Sequence, residues 1–447
     1  MHMAMPRVLI ASGLDPSSGA GAVADAITVR SLGCHPLVTI TCLVPQTPSR
    51  VRALIPMGRE HVIAQLEPIL ENVGAEYAKV GAVGSREVAE ALAETIGGRI
   101  PFVLDPVLKA SDGTPLVKEG AEALRPLLEK AEIVTPNIPE AEALSGIRIR
   151  TEEDAAEAAR RISELGPRAV VVKGGHLRGD KVVDIVCIDG EILKMEAPRE
   201  PADAHGTGCV LSSAIAALRA RGLGVEEAIR RAREFVLGAI RYRIVIDGRR
   251  PLANAAWLVE RRALEREILR RLNKAIEEIE RSPELARLIP EVRMNIAEAL
   301  PPPYARDVND VAAVEGRISV VRGRPKACGP PAFGASSHVA RAILAVMRHA
   351  PWLRAAANIR YDPALIERAR RLGLGVSMYD RRREPPEVKA REGASIPWGI
   401  DQAVRALGRP PDVVYHLGDL GKEPMILVFG RDCLEVVERL KALAAGP

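Results

Sequence analysis

The first 250 residues alternate between two apolar patterns. Short β-branched and aliphatic runs at residues 8–11, 37–43, 76–80, 102–104, 133–134 and 169–172 read as buried strands. Between them, residues 22–32, 85–95, 119–130 and 152–165 carry helix-like patterns. Strand followed by helix, repeated, predicts an α/β fold with a mostly parallel sheet covered by helices. Residues 182–188 and 192–195 flank Asp189-Gly190, a hairpin signal in the same domain. Residues 211–241 are helical in pattern. Residues 256–281 form a strongly charged run whose Leu264, Ile268, Leu272, Ile276 and Ile279 fall at three and four spacing. That spacing marks an amphipathic helix, a connector packed on a neighbour, with its charges on a solvated face. Pro283 and Pro290 then punctuate the chain before a second α/β segment. The expected organisation is a domain over residues 1–255, a connector over 256–285 and a smaller α/β/α domain over 286–447.

Composition narrows this picture. A chain of 447 residues is too long for one typical domain. Its 47% hydrophobic and 27% charged residues are ordinary for a soluble globular protein. No segment approaches the ~18 uninterrupted apolar residues of a membrane helix. The start carries no signal-peptide pattern, so a cytoplasmic protein without a membrane partner is expected. Net charge is +5 with arginine spread widely, which lacks the clustered basic face of a nucleic-acid binder. The six cysteines form no C-x-x-C pair, so neither a zinc site nor a disulfide framework is read. Glutamine occurs only at 46, 65 and 402, a usage like that of thermophiles, which avoid thermolabile amides.

The densest chemistry lies in His205-Gly206-Thr207-Gly208-Cys209, which opens directly into an apolar helical run. Gly206 and Gly208 let backbone amides approach a ligand closely, and a helix start adds unpaired N–H groups and a positive dipole end. Such a site suits phosphate. A cysteine in the first helical turn sits in the same field, which favours thiolate. Cys209 is therefore a candidate base beside an anion hole of Gly206, Thr207 and Gly208. His205 has two readings, direct function or packing beneath the loop. Upstream, Asn137 and Glu140 follow the strand at 133–134. An Asn and an acid three apart can hold a hydrated Mg2+ beside nucleotide phosphates, with Glu142 contributing through water. Lys173-Gly174-Gly175-His176 follows the next strand, and a lysine on a glycine-freed turn can reach phosphate oxygens.

The order N-x-x-E, K-G-G-H, G-T-G-C resembles the ribokinase superfamily. Within it, the chain is similar to hydroxymethylpyrimidine phosphate kinase, the ThiD family, over about residues 6–250. The likeness also rests on Ser12-Gly13-Leu14-Asp15-Pro16-Ser17-Ser18-Gly19-Ala20-Gly21, Ala24-Asp25, Gln46, Lys79-Val80-Gly81, Leu104-Asp105-Pro106-Val107 and Thr135-Pro136-Asn137. A cysteine in place of aspartate at the end of the anion hole resembles the pyrimidine and pyridoxal branch. The resemblance implies a ribokinase-like α/β/α fold and two successive phosphorylations from ATP with Mg2+. It also implies that Gly13, Asp25 and Gln46 contact the pyrimidine. A glutamine and a carboxylate offer the paired donors and acceptors of an aminopyrimidine edge. The chain departs from the pattern at Pro45-Gln46-Thr47-Pro48, at Ala82 where a methionine often covers the ring, and at Ala204 in place of threonine.

The second segment has its own signature. Gly316-Arg317 precedes an apolar strand, Phe333-Gly334-Ala335-Ser336-Ser337-His338-Val339-Ala340-Arg341 opens a helix, and Ala357-Asn358-Ile359-Arg360-Tyr361-Asp362 ends a strand. A glycine, two serines and a helix start make an anion-friendly nest, although Ser336 and Ser337 also suit a helix cap. Together these stretches resemble the ThiN family of thiamine-phosphate synthases over about residues 286–445. The resemblance implies joining of the pyrimidine diphosphate to thiazole phosphate, with release of pyrophosphate. Arg317, Arg360 and Lys422 are suitable donors to a leaving diphosphate. His338 can orient or protonate the leaving group. Arg317 and His338 are expected to matter most, with Ser336, Ser337, Asn358 and Asp362 binding substrate. Expected partners are these small molecules alone, in a homo-oligomer. Two alternatives stay open: a second domain that only senses thiamine phosphates, and a pyridoxal kinase in the first.

Overall fold

The computed structural model describes residues 5–47, 49–174, 181–200, 204–246, 250–419 and 423–445. The chain divides into two compact units, Met1–Val259 and Glu260–Pro447.

In the first unit, β1 (Arg7–Leu14), β2 (His35–Leu43), β3 (Tyr77–Val80), β4 (Phe102–Leu104), β5 (Ile133–Val134), β6 (Ala169–Val172), β7 (Lys181–Ile188) and β8 (Glu191–Pro198) build one sheet. Its order is β8-β7-β6-β5-β4-β3-β1-β2, closed at the β2 edge by Ile55–Pro56. The run from β2 to β6 is parallel, and β7 and β8 form an antiparallel hairpin. The β1 residues Val8, Leu9, Ile10 and Ala11 are wholly buried because both sheet faces are covered. Val8 and Ile10 face α1 (Gly21–Ser31), while Leu9 and Ala11 face helices Arg59–Asn72 and Arg86–Ile96. Further along lie α2 (Ile138–Ser145), α3 (Thr207–Ala220) and α4 (Val225–Arg241). The last two pack on the α1 face. This is the α/β layering expected from the alternating pattern.

Local chemistry explains the departures. Residues 119–130 do not form one helix. A 3-10 turn, Ala121–Leu124, passes into a single α-turn, Arg125–Leu128. Pro126 has no N–H to continue an α ladder. The stretch 211–241 breaks into α3 and α4 at Gly222, whose φ of 90° only glycine adopts readily. Helix Arg59–Asn72 escapes the periodicity because only Val62 and Leu66 are buried and Pro68 interrupts it.

The second unit begins with α5 (Trp257–Glu280), which runs across the division. Ile268, Leu272, Ala275, Ile276 and Ile279 are its buried face. Its charges are partly structural: Arg271 reaches the wholly buried Glu298 at 2.7 Å. The division falls within the first turn of this helix, between Val259 and Glu260. The sheet comprises β9 (Ile296–Ala299), β10 (Val311–Val314), β11 (Pro331–Phe333), β12 (Ala355–Arg360), β13 (Val376–Met378), β14 (Val413–His416) and β15 (Met425–Gly430). Its order is β11-β10-β9-β12-β15-β14-β13, and only β13 and β14 run parallel. One face packs α6 (His338–Met347) and α7 (Ser395–Leu407). The other face carries Glu298, bound by α5 and by the amide of Cys433 at the start of α8 (Cys433–Ala444).

Candidate functional site

The parallel strands of the first unit end together, and their following residues make a cleft of about 640 Å3. Gly13, Gln46, Asn137, Glu140, Lys173 and the residues 206–209 all line it. Gly206 has a φ of 89°, and a Cβ there would stand 1.8 Å from the Gly19 carbonyl oxygen. Only glycine lets this loop press against residues 19–20 and turn straight into α3. Lys173 enters from the end of β6. Its Nζ lies 3.1 Å from Asp105 Oδ1 and 3.2 Å from where a Gly208 Cβ would stand. The first turn of α3 thus carries a lysine beneath its amides.

The same three residues, Lys173, Thr207 and Gly208, also line a second, mainly apolar cavity of about 430 Å3. Its walls include Val182, Ala197, Leu211, Val236, Leu237 and Ile240. The anion hole is therefore a wall shared by the two cavities.

The electrostatics revise the expectation for Cys209. Burial pushes its thiol up to about 12, against the pull of Lys79 and the Gly21 amide, while Asp25 and Asp105 push it further. Desolvation outweighs those attractions and favours the neutral thiol over the thiolate. Asp25 is also corrected. It is 0% exposed and does not line the cleft. Its Oδ2 binds Lys79 Nζ at 2.6 Å and its Oδ1 accepts from Ser213 Oγ at 2.7 Å. It is an internal counter-charge beneath the floor, not a ring contact.

Asn137 and Glu140 form a reciprocal cap on α2. Asn137 Oδ1 accepts from the Glu140 amide at 2.9 Å, and Glu140 Oε2 accepts from the Asn137 amide at 2.8 Å. Burial raises the Glu140 carboxyl to about 7, with Lys173 lowering it and Asp105 raising it. Glu142 turns away from the cleft, and its Oε1 accepts from the Ile149 amide at 2.8 Å. It takes no place beside a cation here. Asp105, quoted only as part of a motif, is the acid that faces Lys173 and the anion hole. Its spacing of 35 residues from Glu140 hides the pair in the sequence.

On the opposite wall, His205 is 8% exposed and its Nε2 lies 3.6 Å from Asp15 Oδ2. Burial raises the Asp15 carboxyl, but the neighbouring His205 imidazole and the hydrogen bonds from Ser17 outweigh it and hold the group below its ordinary value. His205 belongs to the cleft as the partner of Asp15. Gln46 stands on a two-residue strand, Gln46–Thr47, paired with Arg50–Val51, whose Val51 amide is held by Asp112 at 2.7 Å. Gly175 and His176 lie outside the described residues.

The second unit has a cavity of about 530 Å3, lined by Arg317, Ser336, Ser337, His338, Asn358 and His416 among others. His338 is the first residue of α6. Ser337 stands at its N-cap position, but its side chain makes no capping bond. Its hydroxyl is thereby left to the cavity, where the sequence had allowed a cap. Arg317 has a φ of 71° and anchors one guanidinium nitrogen on the Val292 carbonyl. Asn358 is set by Asn295: its Oδ1 accepts from the Asn295 amide at 2.7 Å and its Nδ2 donates to the Arg293 carbonyl at 3.0 Å. Two expected residues are not part of this wall. Arg360 ends β12 with an exposed side chain, and Asp362 caps helix Pro363–Arg371 by accepting from the Ala364 amide at 2.8 Å. Lys422 lies outside the described residues. His416 was not anticipated. It ends β14, and its Nδ1 accepts from the Gly418 amide at 3.1 Å.

Two family models match the chain: phosphomethylpyrimidine kinase over residues 15–252, and thiamine-phosphate synthase ThiN over residues 271–442. The bifunctional thiamine biosynthesis protein ThiDN of Methanocaldococcus jannaschii is 31% identical over 451 residues, covering 98% of each chain. The thiamine-phosphate synthase ThiN of Methanothermobacter thermautotrophicus is 48% identical over 37% of this chain and 87% of its own. Among solved structures, the ADP complex of Staphylococcus aureus pyridoxal kinase has a TM-score of 0.52 at 30% identity, covering 57% of this chain and 94% of that one. That likeness supports the ribokinase-like fold of the first unit. The chain belongs to the family of bifunctional thiamine-biosynthesis proteins in which a phosphomethylpyrimidine kinase precedes a ThiN-type thiamine-phosphate synthase.

Proposed function

We propose that the first unit phosphorylates hydroxymethylpyrimidine and then its monophosphate from ATP, and that the second joins the diphosphate to thiazole phosphate. The observation that carries the kinase reading is the wall of Lys173, Thr207 and Gly208 shared by the 430 Å3 slot and the 640 Å3 cleft. A nucleotide base fits the slot, the acceptor fits the cleft, and the phosphoryl group crosses at the amides of α3. The acceptor hydroxyl attacks the terminal phosphorus as the bond to ADP breaks. Catalysis here is chiefly positioning and charge neutralisation, which Lys173 and the 206–209 amides supply. Cys209 acts as base from its ionised fraction: its thiol proton is released to solvent first, and the thiolate then accepts the hydroxyl proton as the O–P bond forms.

The residues present suit Mg2+. Asp105 and Glu140 repel one another around Lys173, and that repulsion helps hold Glu140 near 7. Hard oxygen ligands of this kind would hold the ion beside the ATP phosphates, where it supplies neutralisation of developing charge. Asn137 serves mainly to fix Glu140 through the reciprocal cap. Gln46 and Gly13 form the acceptor's end of the cleft.

In the second unit the thiazole nitrogen attacks the pyrimidine methylene carbon, and the electron pair of the broken C–O bond leaves with pyrophosphate. Arg317 and His338 stabilise that leaving group, with Ser336 and Ser337 at the helix start beside it. A chain incubated with ATP, hydroxymethylpyrimidine and thiazole phosphate should yield thiamine phosphate. Phosphorylation without thiamine phosphate would leave the second unit as a sensor. Faster phosphorylation of pyridoxal than of hydroxymethylpyrimidine would reassign the first.

A further inference from the structure

The synthase cavity has a second cationic end that the reading above leaves unused. Arg381 follows β13, is 6% exposed and lines the cavity. Its Nε is buried without a hydrogen-bond partner among the described residues. Glu384, three residues on, forms no ion pair with it and keeps its own Oε1 unpartnered. Arg341 lies one turn along α6 from His338 and lines the same cavity. The loop before α7 closes over it. A Cβ on Gly393 would stand 2.7 Å from the Arg341 Cζ, so only glycine lets backbone lie against that guanidinium. Ser395 and Ile396, the first residues of the 13-residue α7, complete this end, and Ala394 before them supplies no side-chain cap.

A buried guanidinium N–H with no hydrogen-bond partner is unfavourable until an acceptor arrives. Two guanidiniums beside uncapped helix amides match a phosphate, which accepts bidentate bonds from arginine. The condensation brings two anions into one cavity, a diphosphate and a monophosphate. Arg317 follows β10 and Arg381 follows β13, at separate places in the order β11-β10-β9-β12-β15-β14-β13. Like charges on the two substrates are best kept apart, one at each end.

We propose that Arg381, with Arg341 and the start of α7, is the phosphate subsite for the thiazole monophosphate. The assignment rests on the synthase reading, with Arg317 at the leaving diphosphate. It makes Arg381 a binding and specificity residue: it grips the substrate through a group that does not react, and aims the ring nitrogen at the methylene carbon.

The test uses the full chain and the variants Arg381→Gln and Arg381→Lys. Arg381→Gln should raise KM for thiazole phosphate by at least about tenfold, with KM for the pyrimidine diphosphate and the kinase rate within about twofold of the parent. Arg381→Lys should recover part of the loss, since it keeps the charge but not the fork. The parent should prefer thiazole phosphate over the unphosphorylated thiazole alcohol, and Arg381→Gln should lose most of that preference. A rise in KM for the diphosphate instead, or no change in either, overturns the proposal. Arg341→Gln, on a less buried side chain, repeats the measurement if Arg381→Gln does not fold. Calorimetric binding of thiazole phosphate needs no turnover. Undiminished binding by the variant sinks the subsite whether or not the synthase reading stands, while a parent that binds but makes no product sinks the synthase reading alone.

Discussion

At Cys209 two fields oppose one another: the amides and Lys79 favour charge on sulfur, and burial opposes it and prevails, placing the thiol near 12. If the thiolate is the proton acceptor, only its small ionised fraction works at neutral pH. That fraction grows about tenfold per pH unit below the pKa. Kinase kcat measured from pH 6 to 9 should therefore climb steeply, and Cys209→Asp should flatten the climb. A flat profile in the parent would reduce Cys209 to a hydrogen-bond partner of the substrate hydroxyl. Cys209→Ala should lower kinase turnover strongly in either case. Residue chemistry was partly legible in the sequence. Lys173, Gly206 and Gly208 are local motifs whose amides and charges act where they stand. Asp25 was misread because its partner, Lys79, lies 54 residues away and closes over it only in the fold. Asp105 was passed over for the same reason.

Elements behave similarly. The parallel strands and α3 could be read from the chain because buried strands are uniform apolar runs and helix starts carry glycine and polar turns. The antiparallel order of the second sheet could not, because register decides it. Register is also what brings Arg381, His416 and Arg317 to one cavity from three different strand ends. The charged face of α5 is largely solvated as expected, but Arg271 departs from it, since charge alone does not distinguish a solvated arginine from one that reaches a buried acid. Arg271→Ala strips Glu298 of its 2.7 Å partner while the carboxylate stays 0% exposed. The expected cost is about 3 kcal/mol. Calorimetry should show the second unit melting earlier, with kinase turnover unchanged. An unaltered thermogram would mean that Arg354, 3.8 Å from Glu298, and the Cys433 amide suffice.

For the whole molecule, the kinase cleft and the synthase cavity are each lined by residues of one unit. Cys209→Ala should therefore spare the synthase, and His338→Ala should spare the kinase. An equimolar mixture of the two variants should still convert hydroxymethylpyrimidine and thiazole phosphate to thiamine phosphate, through diphosphate that diffuses between chains. No product from the mixture would mean that the diphosphate does not leave the chain that makes it.

The quiet thiol at the head of α3 has a consequence for durability. Sulfur is attacked by peroxide as the anion, so a side chain that keeps its proton is also slow to oxidise. The exposed Cys328 has no such protection. After graded peroxide at pH 7.5, mass spectrometry should find sulfenic acid on Cys328 first, with Cys209 intact and kinase turnover retained. The burial that keeps Cys209 protonated thus lets a kinase keep a cysteine at its centre without a standing vulnerability to oxidants.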